Sequence, residues 1–544
     1  MSLPLEAGAP EQPATSRTAA WRAPLTLALI ALLLGLIVEL FFHDRPLGIG
    51  FPLWAASCLV GLYAAARLER VRPSAGGLAL LPPLLACAAL VAIRSEPLTV
   101  FLAVTLTLTL LALLVRTFRG GRLMAHGALD LLLAPAWVPL EAWFRSVPLL
   151  DQALGRLAGE RGRASPALPL VRGLLLALPV VVAFAILLAG ADLVFADALR
   201  ELLRWLRLDR LLDLLGRTLI VLVCAVFFAG ALAASLRDPG RRKLIGEGAP
   251  LVLPFLGFAE AAVVLAGVDL LLAGFVGVQF AYLFGGQANV TAAGYTYAEY
   301  ARQGFGELVA VAALSLAMLL CLSAWTVRAG RGRQTAFLGL NTALVGLNGV
   351  VLGSALMRLL LYEQAYGFTR LRTYTHVAIL WIGVLLAASL LLLALARLRA
   401  FGLAAGAAAL GFTLTLGVLN IDAFIVSRNA ARAEPLDQWY LLSLTPDALP
   451  GMVELAEGAP DDLREDLLPQ LACRRAMLEH SAQTGGWPSL HLGRREALLA
   501  LQRLDPALDR YPTFWRSFGP GETRWGQWLV EVEGEQRPCF TFWG

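Results

Sequence analysis

The feature that most restricts what this chain can fold into is a run of about 20 apolar residues that recurs along its length. A bilayer core about 30 Å thick is crossed by about 20 residues of helix, each rising about 1.5 Å. On that scale spans are expected near 24–42, 49–66, 77–93, 98–115, 171–191, 217–236, 250–275, 305–327, 336–360, 376–396 and 402–424, eleven in all. Of the 544 residues 58% are hydrophobic and 16% charged, against about 45–50% and about 25% in soluble domains. That much apolar surface cannot be hidden in a water-soluble core, so the expected solvent is lipid. The net charge of +5 is Arg with one Lys, Lys243, scattered between apolar runs. Charge spread in this way argues against a nucleic-acid partner, which needs a basic patch.

The expected fold class is therefore all-α: a polytopic transmembrane helix bundle over 24–424. It follows a disordered cytoplasmic N-terminus at 1–23 and precedes a mainly helical extracytoplasmic domain at 425–544. Orientation is read from the arginines, because short positive loops stay in the cytoplasm. Arg67, Arg70 and Arg72 mark one such loop; Arg237, Arg241 and Arg242 another; Arg328, Arg331 and Arg333, then Arg397 and Arg399, two more. The intervening loops hold little, such as Arg45, or Arg94 beside Glu96. Residues 129–150 are apolar but carry Pro135, Pro139, Pro148, Asp130, Glu141 and Arg145, which suits an interfacial or re-entrant piece better than a span. The 192–214 stretch reads as an amphipathic surface helix.

From 425 the composition changes: 17 Asp and Glu against 12 Arg, net −5, with +10 left on the rest. Segments 461–480 and 492–504 are helix-periodic, and WLVEVEGEQRPCFTFWG at the end alternates as a hairpin would. Six of the 13 Trp lie here and are expected to anchor a small core. Cys473 and Cys539 are the two cysteines of this stretch. They are expected to pair, since an extracytoplasmic compartment permits disulfides.

Phosphate-binding loops, zinc signatures and nucleophile elbows are missing, and the five His form no ligand pair. Neither a metal nor a cofactor is expected. Ionisable residues inside spans are Glu39, Glu260, Asp269 and Arg358, and such residues are functional candidates because burying them in lipid is costly. Glu260 and Asp269, nine residues apart, fall on opposite faces of a helix. Gly349-x-x-x-Gly353 permits close helix contact. Three span ends on the outward side bring Tyr297, Tyr300 and Arg302, then Arg358, Tyr362, Tyr366 and Arg372, then Asp422 and Arg428 to one membrane depth. Arginine forks suit phosphate or carboxylate, and tyrosine suits the headgroup layer, so a site for an anionic or lipid-headgroup ligand is expected there.

The stretches YLFGG (282–286), TYAEYARQGFGELVAV (296–311), ALMRLLLYEQAYGFTRLR (355–372) and NIDAFIVSRN (420–429) resemble the signatures of a bacterial multi-pass membrane protein family defined by a domain of unknown function. The resemblance covers roughly 170–450 and implies a bacterial inner membrane. It supplies no activity. Family members often have Asn-Pro-Asp where this chain has Asn420-Ile421-Asp422, so no proline enforces a kink at that point.

Two functions fit these features. One is non-enzymatic: a membrane bundle with an outer domain, acting in envelope sensing, assembly or transport, with the bilayer as its main partner. The other is a membrane transferase using a lipid-linked donor at the outer face, for which Asp44, just after the first span, is the acidic candidate. The loop at 43–48 is too short to build a catalytic pocket by itself, which favours the first.

Overall fold

In lipid a backbone must satisfy its own N–H and C=O groups, so apolar runs of this length close into helices. A computed structural model describes residues 20–120, 128–157, 209–237, 254–282, 305–432, 436–517 and 526–540, with scattered positions from 173 to 198. Among the described residues ten helices are long and apolar enough to cross a membrane. The protein is a multi-pass, all-α membrane bundle. The helices are α1 (Pro24–Phe42), α2 (Gly50–Glu69), the pair α3 (Ala75–Ala79) and α4 (Leu81–Ile93), α5 (Pro97–Thr117), α6 (Ala128–Leu157) and α7 (Asp209–Arg237). They continue with α8 (Phe258–Tyr282), α9 (Phe305–Trp325), α10 (Arg331–Tyr366), α11 (Arg370–Ala394) and α12 (Phe401–Leu419).

Ten of the eleven expected spans coincide with these helices, α3 and α4 together forming one. The eleventh, 171–191, is described only at scattered positions, and 199–208 of the expected surface helix and residues 1–19 lie outside the described residues. The span expected near 250–275 starts later, at Phe258. Glu260 sets that start: its carboxylate accepts from Gly257 N at 2.8 Å, a negative group on the positive end of the helix. Helix α6 runs unbroken through its three prolines and is not one of the ten spans.

Contacts divide the chain into two units. One comprises 1–36, 61–72 and 139–236. In it Glu69 accepts from Arg22 N and Ala23 N at 3.0 and 3.1 Å, and Trp21 N donates to Gln152 Oε1 at 2.9 Å. Gly230 lies directly against the backbone of Ala142, where any side chain would collide. The expected packing pair Gly349 and Gly353 instead has nothing within 4 Å; close approach is decided by the neighbour and not by the spacing alone.

The second unit comprises 37–60, 73–138 and 237–544. Helices α8 to α11 share a core that includes Leu265, Leu272, Leu319, Leu344 and Leu359. A second core is built by α13 (Ile421–Ala430), α15 (Leu449–Gly458), α16 (Asp461–Gly485) and α17 (Leu492–Leu501), after the short α14 (Gln438–Leu442). It also takes in Val377 of α11 and Leu416 of α12. The tail and the span ends are thus packed around the same apolar residues.

The chain closes with the short α18 (Asp505–Leu508) and strands β1 (Thr513–Ser517), β2 (Gly526–Val532) and β3 (Glu535–Pro538), an antiparallel sheet in that order. The expected hairpin is β2–β3, turned by Glu533 and Gly534 at φ 53° and 83°, the doubly positive geometry of a two-residue turn. Strand β1 is an addition to the expectation. Cys473 of α16 and Cys539 after β3 form a disulfide. Of the four described tail tryptophans, Trp439, Trp487 and Trp515 are exposed and only Trp528 anchors apolar packing, against Cys473, Val530 and Cys539. Leucine and alanine fill the thin space between short helices, and Trp487 packs edge-on against Phe41 at 5.3 Å instead.

Candidate functional site

Three helix starts and one loop of the tail converge on a buried polar ladder. Helix α5 begins Glu96-Pro97: proline has no N–H to satisfy, and the Glu96 carboxylate accepts from Leu98 N at 2.8 Å and from Thr99 N and Oγ1 at 2.7 and 2.6 Å. Glu96 is 2% exposed, and the hydroxyl of Tyr374 on α11 donates to its Oε1. One turn earlier on α11, Arg370 donates through Nε and Nη2 to Oδ1 and Oδ2 of Asp422 at 2.7 and 2.6 Å. This is the two-point fork for which guanidinium and carboxylate are matched.

Asp422 is fully buried, at 0% exposure. Its Oδ2 also accepts from Thr445 N and Oγ1 at 2.8 and 2.6 Å, and Arg370 N donates to the Tyr440 hydroxyl at 2.8 Å. Burial pushes the Tyr440 hydroxyl pKa up, so it stays a neutral acceptor. What aims Asp422 inward is Asn420, left-handed at φ 48° and ψ 75°, which breaks α12 from α13. A kink is present without proline because asparagine tolerates that conformation.

A second carboxylate sits beside the ladder. Asp447 Oδ2 accepts from Ser95 N at 2.7 Å, while Oδ1 has no hydrogen-bond partner among the described residues. Burial pushes its pKa up to about 6, against the opposing pull of Ser95 N–H and the Arg94 charge. Arg94 Nε donates to Gly417 O at 2.6 Å, and its own carbonyl lies 3.2 Å from His491 Nε2. The other ring nitrogen of His491 accepts from Arg494 N at 3.3 Å, so Nε2 carries the proton. Burial first, then the Arg494 charge, lowers the His491 pKa to about 4, leaving it neutral. Arg474, 2% exposed, donates to Leu442 O; burial and the Arg370 charge lower its pKa to about 9.

The expected site residues fall in several places. Tyr297, Tyr300 and Arg302 lie outside the described residues. Arg372 stacks 4.1 Å over the Tyr362 ring and donates to Tyr366 O and Gly367 O, with Tyr362 and Tyr366 packed edge-on at 5.0 Å. Arg428 lies 5.2 Å from the Phe424 ring on its own helix. Arg358 is buried in α10. Asp422 takes Arg370 as its partner and none of the arginines named with it. Glu39 is 3.4 Å from His43, itself 3.5 Å from the exposed Asp44. Asp269 is buried in α8 with both oxygens unpaired among the described residues.

Glu96, Arg370, Tyr374, Thr445, Asp447 and the buried Glu363, 2.7 Å from His376, were not singled out from sequence. Glu-Pro-x-Thr does carry a readable signal, an acidic cap before a proline-started helix. Asn429 also went unmarked: its amide brackets Phe368 N and O at 2.7 and 3.0 Å and holds the turn after α10. Each oxygen of Glu96 accepts two protein hydrogen bonds and Asp422 accepts four in all, whereas Asp447 Oδ1 and Glu363 Oε1 accept none among the described residues.

The family model for a domain of unknown function (DUF4153) matches residues 81–455, a stretch that holds every rung of the ladder. No curated protein and no solved structure matches the chain.

Proposed function

Because the chain belongs to the DUF4153 family, which brings a domain but no activity, we propose that it is a non-enzymatic scaffold of the bacterial inner membrane. In this reading the N-terminus is cytoplasmic and the disulfide-bonded tail stands on the extracytoplasmic ends of the spans. The role is in envelope assembly or sensing. The observation that carries the reading is Asp422: a fully buried carboxylate given four donors by Arg370 and Thr445. It has no exposed surface to offer a substrate, its charge is answered by the Arg370 fork, and it fixes the tail to the start of α11. The alternating arginine loops support the orientation, as does a disulfide in the tail.

The transferase reading keeps one observation, His43 between Glu39 and the exposed Asp44 at the exit of α1. Reporter fusions after Arg72, Arg242 and Gly544 should read inside, inside and outside; a cytoplasmic signal at Gly544 overturns the orientation. In cells, Asp422→Asn should lower protease resistance of the tail and envelope integrity together, while Asp44→Asn leaves both unchanged. An envelope defect from Asp44→Asn at normal protein level would favour the transferase.

A further inference from the structure

Four span ends meet around one cavity of about 1220 Å³. The end of α9 supplies Ser323, Thr326 and Arg328; α10 supplies Gln334; the turn from α11 into α12 supplies Arg397 and Arg399. Leu256 N donates to Trp325 O at 3.0 Å and Val327 N to Leu256 O at 2.9 Å, which fixes Pro254 at the lip. Since every wall is a span end, the cavity lies at the depth where hydrocarbon gives way to headgroups. Two helix C-termini and two N-termini face it, so their dipoles largely offset. The side chains then decide the sign: among the described residues three arginines and no carboxylate line the cavity.

Ser323 and Thr326 are each 4% exposed, and neither hydroxyl has a partner among the described residues. Elsewhere in the spans Thr107, Thr117, Ser235, Thr342 and Ser389 return their hydroxyls to the carbonyl four residues back. A buried hydroxyl left without a partner is costly, so this pair is suited to a ligand. Arg328 stacks 4.6 Å over Phe337 and donates to Ser323 O at 2.5 Å; the Arg397 guanidinium has no acceptor among the described residues. Burial lowers the Arg328 pKa, the direction desolvation gives a cation. Leu392, Leu395, Leu398 and Leu403 form the remaining wall. A small free anion has no use for them; an acyl chain does.

We propose that this cavity binds an anionic phospholipid, its phosphate held by Arg328, Arg397 and the hydroxyls of Ser323 and Thr326, its chain lying on the leucines. Basic hollows between span ends are suited to such headgroups.

The full chain in mild detergent, titrated with phosphatidylglycerol and with phosphatidylcholine of the same acyl chains, tests this by native mass spectrometry. Phosphatidylglycerol should bind at least about tenfold more tightly. The double variant Arg328→Gln/Arg397→Gln should weaken it by about thirtyfold, two arginines' worth near a membrane surface. Arg510→Gln, exposed on the tail, should change nothing. If the double variant fails to fold, Thr326→Val, which removes one donor at constant volume, should still weaken binding several-fold. Glycerol 1-phosphate should not compete at millimolar concentration; full displacement would give the site to a soluble phosphate ester and overturn the lipid assignment. Equal binding of the two lipids, or variants that bind phosphatidylglycerol as the unmodified protein does, overturns the site.

Discussion

The two ends of helix α11 put arginine to opposite uses. At its start Arg370 forks onto a carboxylate buried among tail and span residues, with each charge answered inside the protein. At its far end Arg397 lines a hollow in which no acid is found among the described residues. A buried ion pair gains little net stability over apolar packing, but removing one partner is severe because the other is left charged and dry. An arginine at a wet span end costs little to leave alone and is free to take a ligand. The same residue type therefore fixes the fold at one end and leaves chemistry available at the other.

The sharpest way to break this contrast is Asp422→Asn, which leaves Arg370 without its counter-charge. It should cost about 3–5 kcal/mol of stability, read by chemical unfolding in detergent, while Arg397→Gln costs under about 0.5 kcal/mol. Similar losses for the two would mean that the ends do not differ. Restoring apolar packing with Arg370→Met/Asp422→Leu should recover most of the first loss.

Next in size is the disulfide. Cys473→Ser should destabilise the tail by about 2–4 kcal/mol, since the bridge closes a long loop in the unfolded chain. Both thiols should resist maleimide in the denatured protein until it is reduced. Labelling without reductant would remove the bridge from the account.

Acidification sharpens the comparison from within the ladder. Asp447 titrates at about 6 in the fold against 3.8 unburied. The folded state binds its proton over that window, so its contribution falls as pH rises from about 4 through 6. His491 titrates at about 4 against 6.5. The folded state refuses that proton, so its contribution falls as pH drops from 6.5 through 4. The slopes oppose and are of similar size, and together they contribute little net change in stability between pH 6 and 4. Asp447→Asn should expose a loss of about 2 kcal/mol on acidification relative to the unmodified protein, and His491→Gln a gain of similar size. If both variants track the unmodified protein, these groups do not titrate as their burial implies.

The smallest effect belongs to the far end. Ala396 is left-handed at φ 54° in the turn where Arg397 N donates to Leu392 O at 2.8 Å. Ala396→Gly should relieve the crowding of its Cβ and stabilise by about 0.5 kcal/mol. A loss of stability would show that the turn does not hold this conformation.

Much of the bundle was legible because a bilayer tests one property that sequence displays directly, the length of an apolar run. The tail hairpin was legible for a similar reason, its period of two ending in Glu533-Gly534. The ladder was only half legible. Asp422 stood out as a carboxylate near a span end, yet Arg370 was passed over for Arg372. Two residues apart on a helix they point about 200° from each other, and nothing local says which one meets Asp422. Glu96 looked like half of a loop ion pair with Arg94, whereas it caps α5 and takes Tyr374.

The sequence by itself determined the number and helical nature of the described spans and the residues able to carry charge. These depend on hydropathy and on neighbours a few positions away, which a chain carries wherever it goes. Only the tertiary structure decided which charges are answered. Ser95 and Glu96, Arg370 and Tyr374, Asp422, and Thr445 and Asp447 come from four segments spread over some 350 positions. A hydrogen bond forms over about 3 Å, so whether each group finds a partner or faces a cavity is a property of the packed helices, not of any one of them.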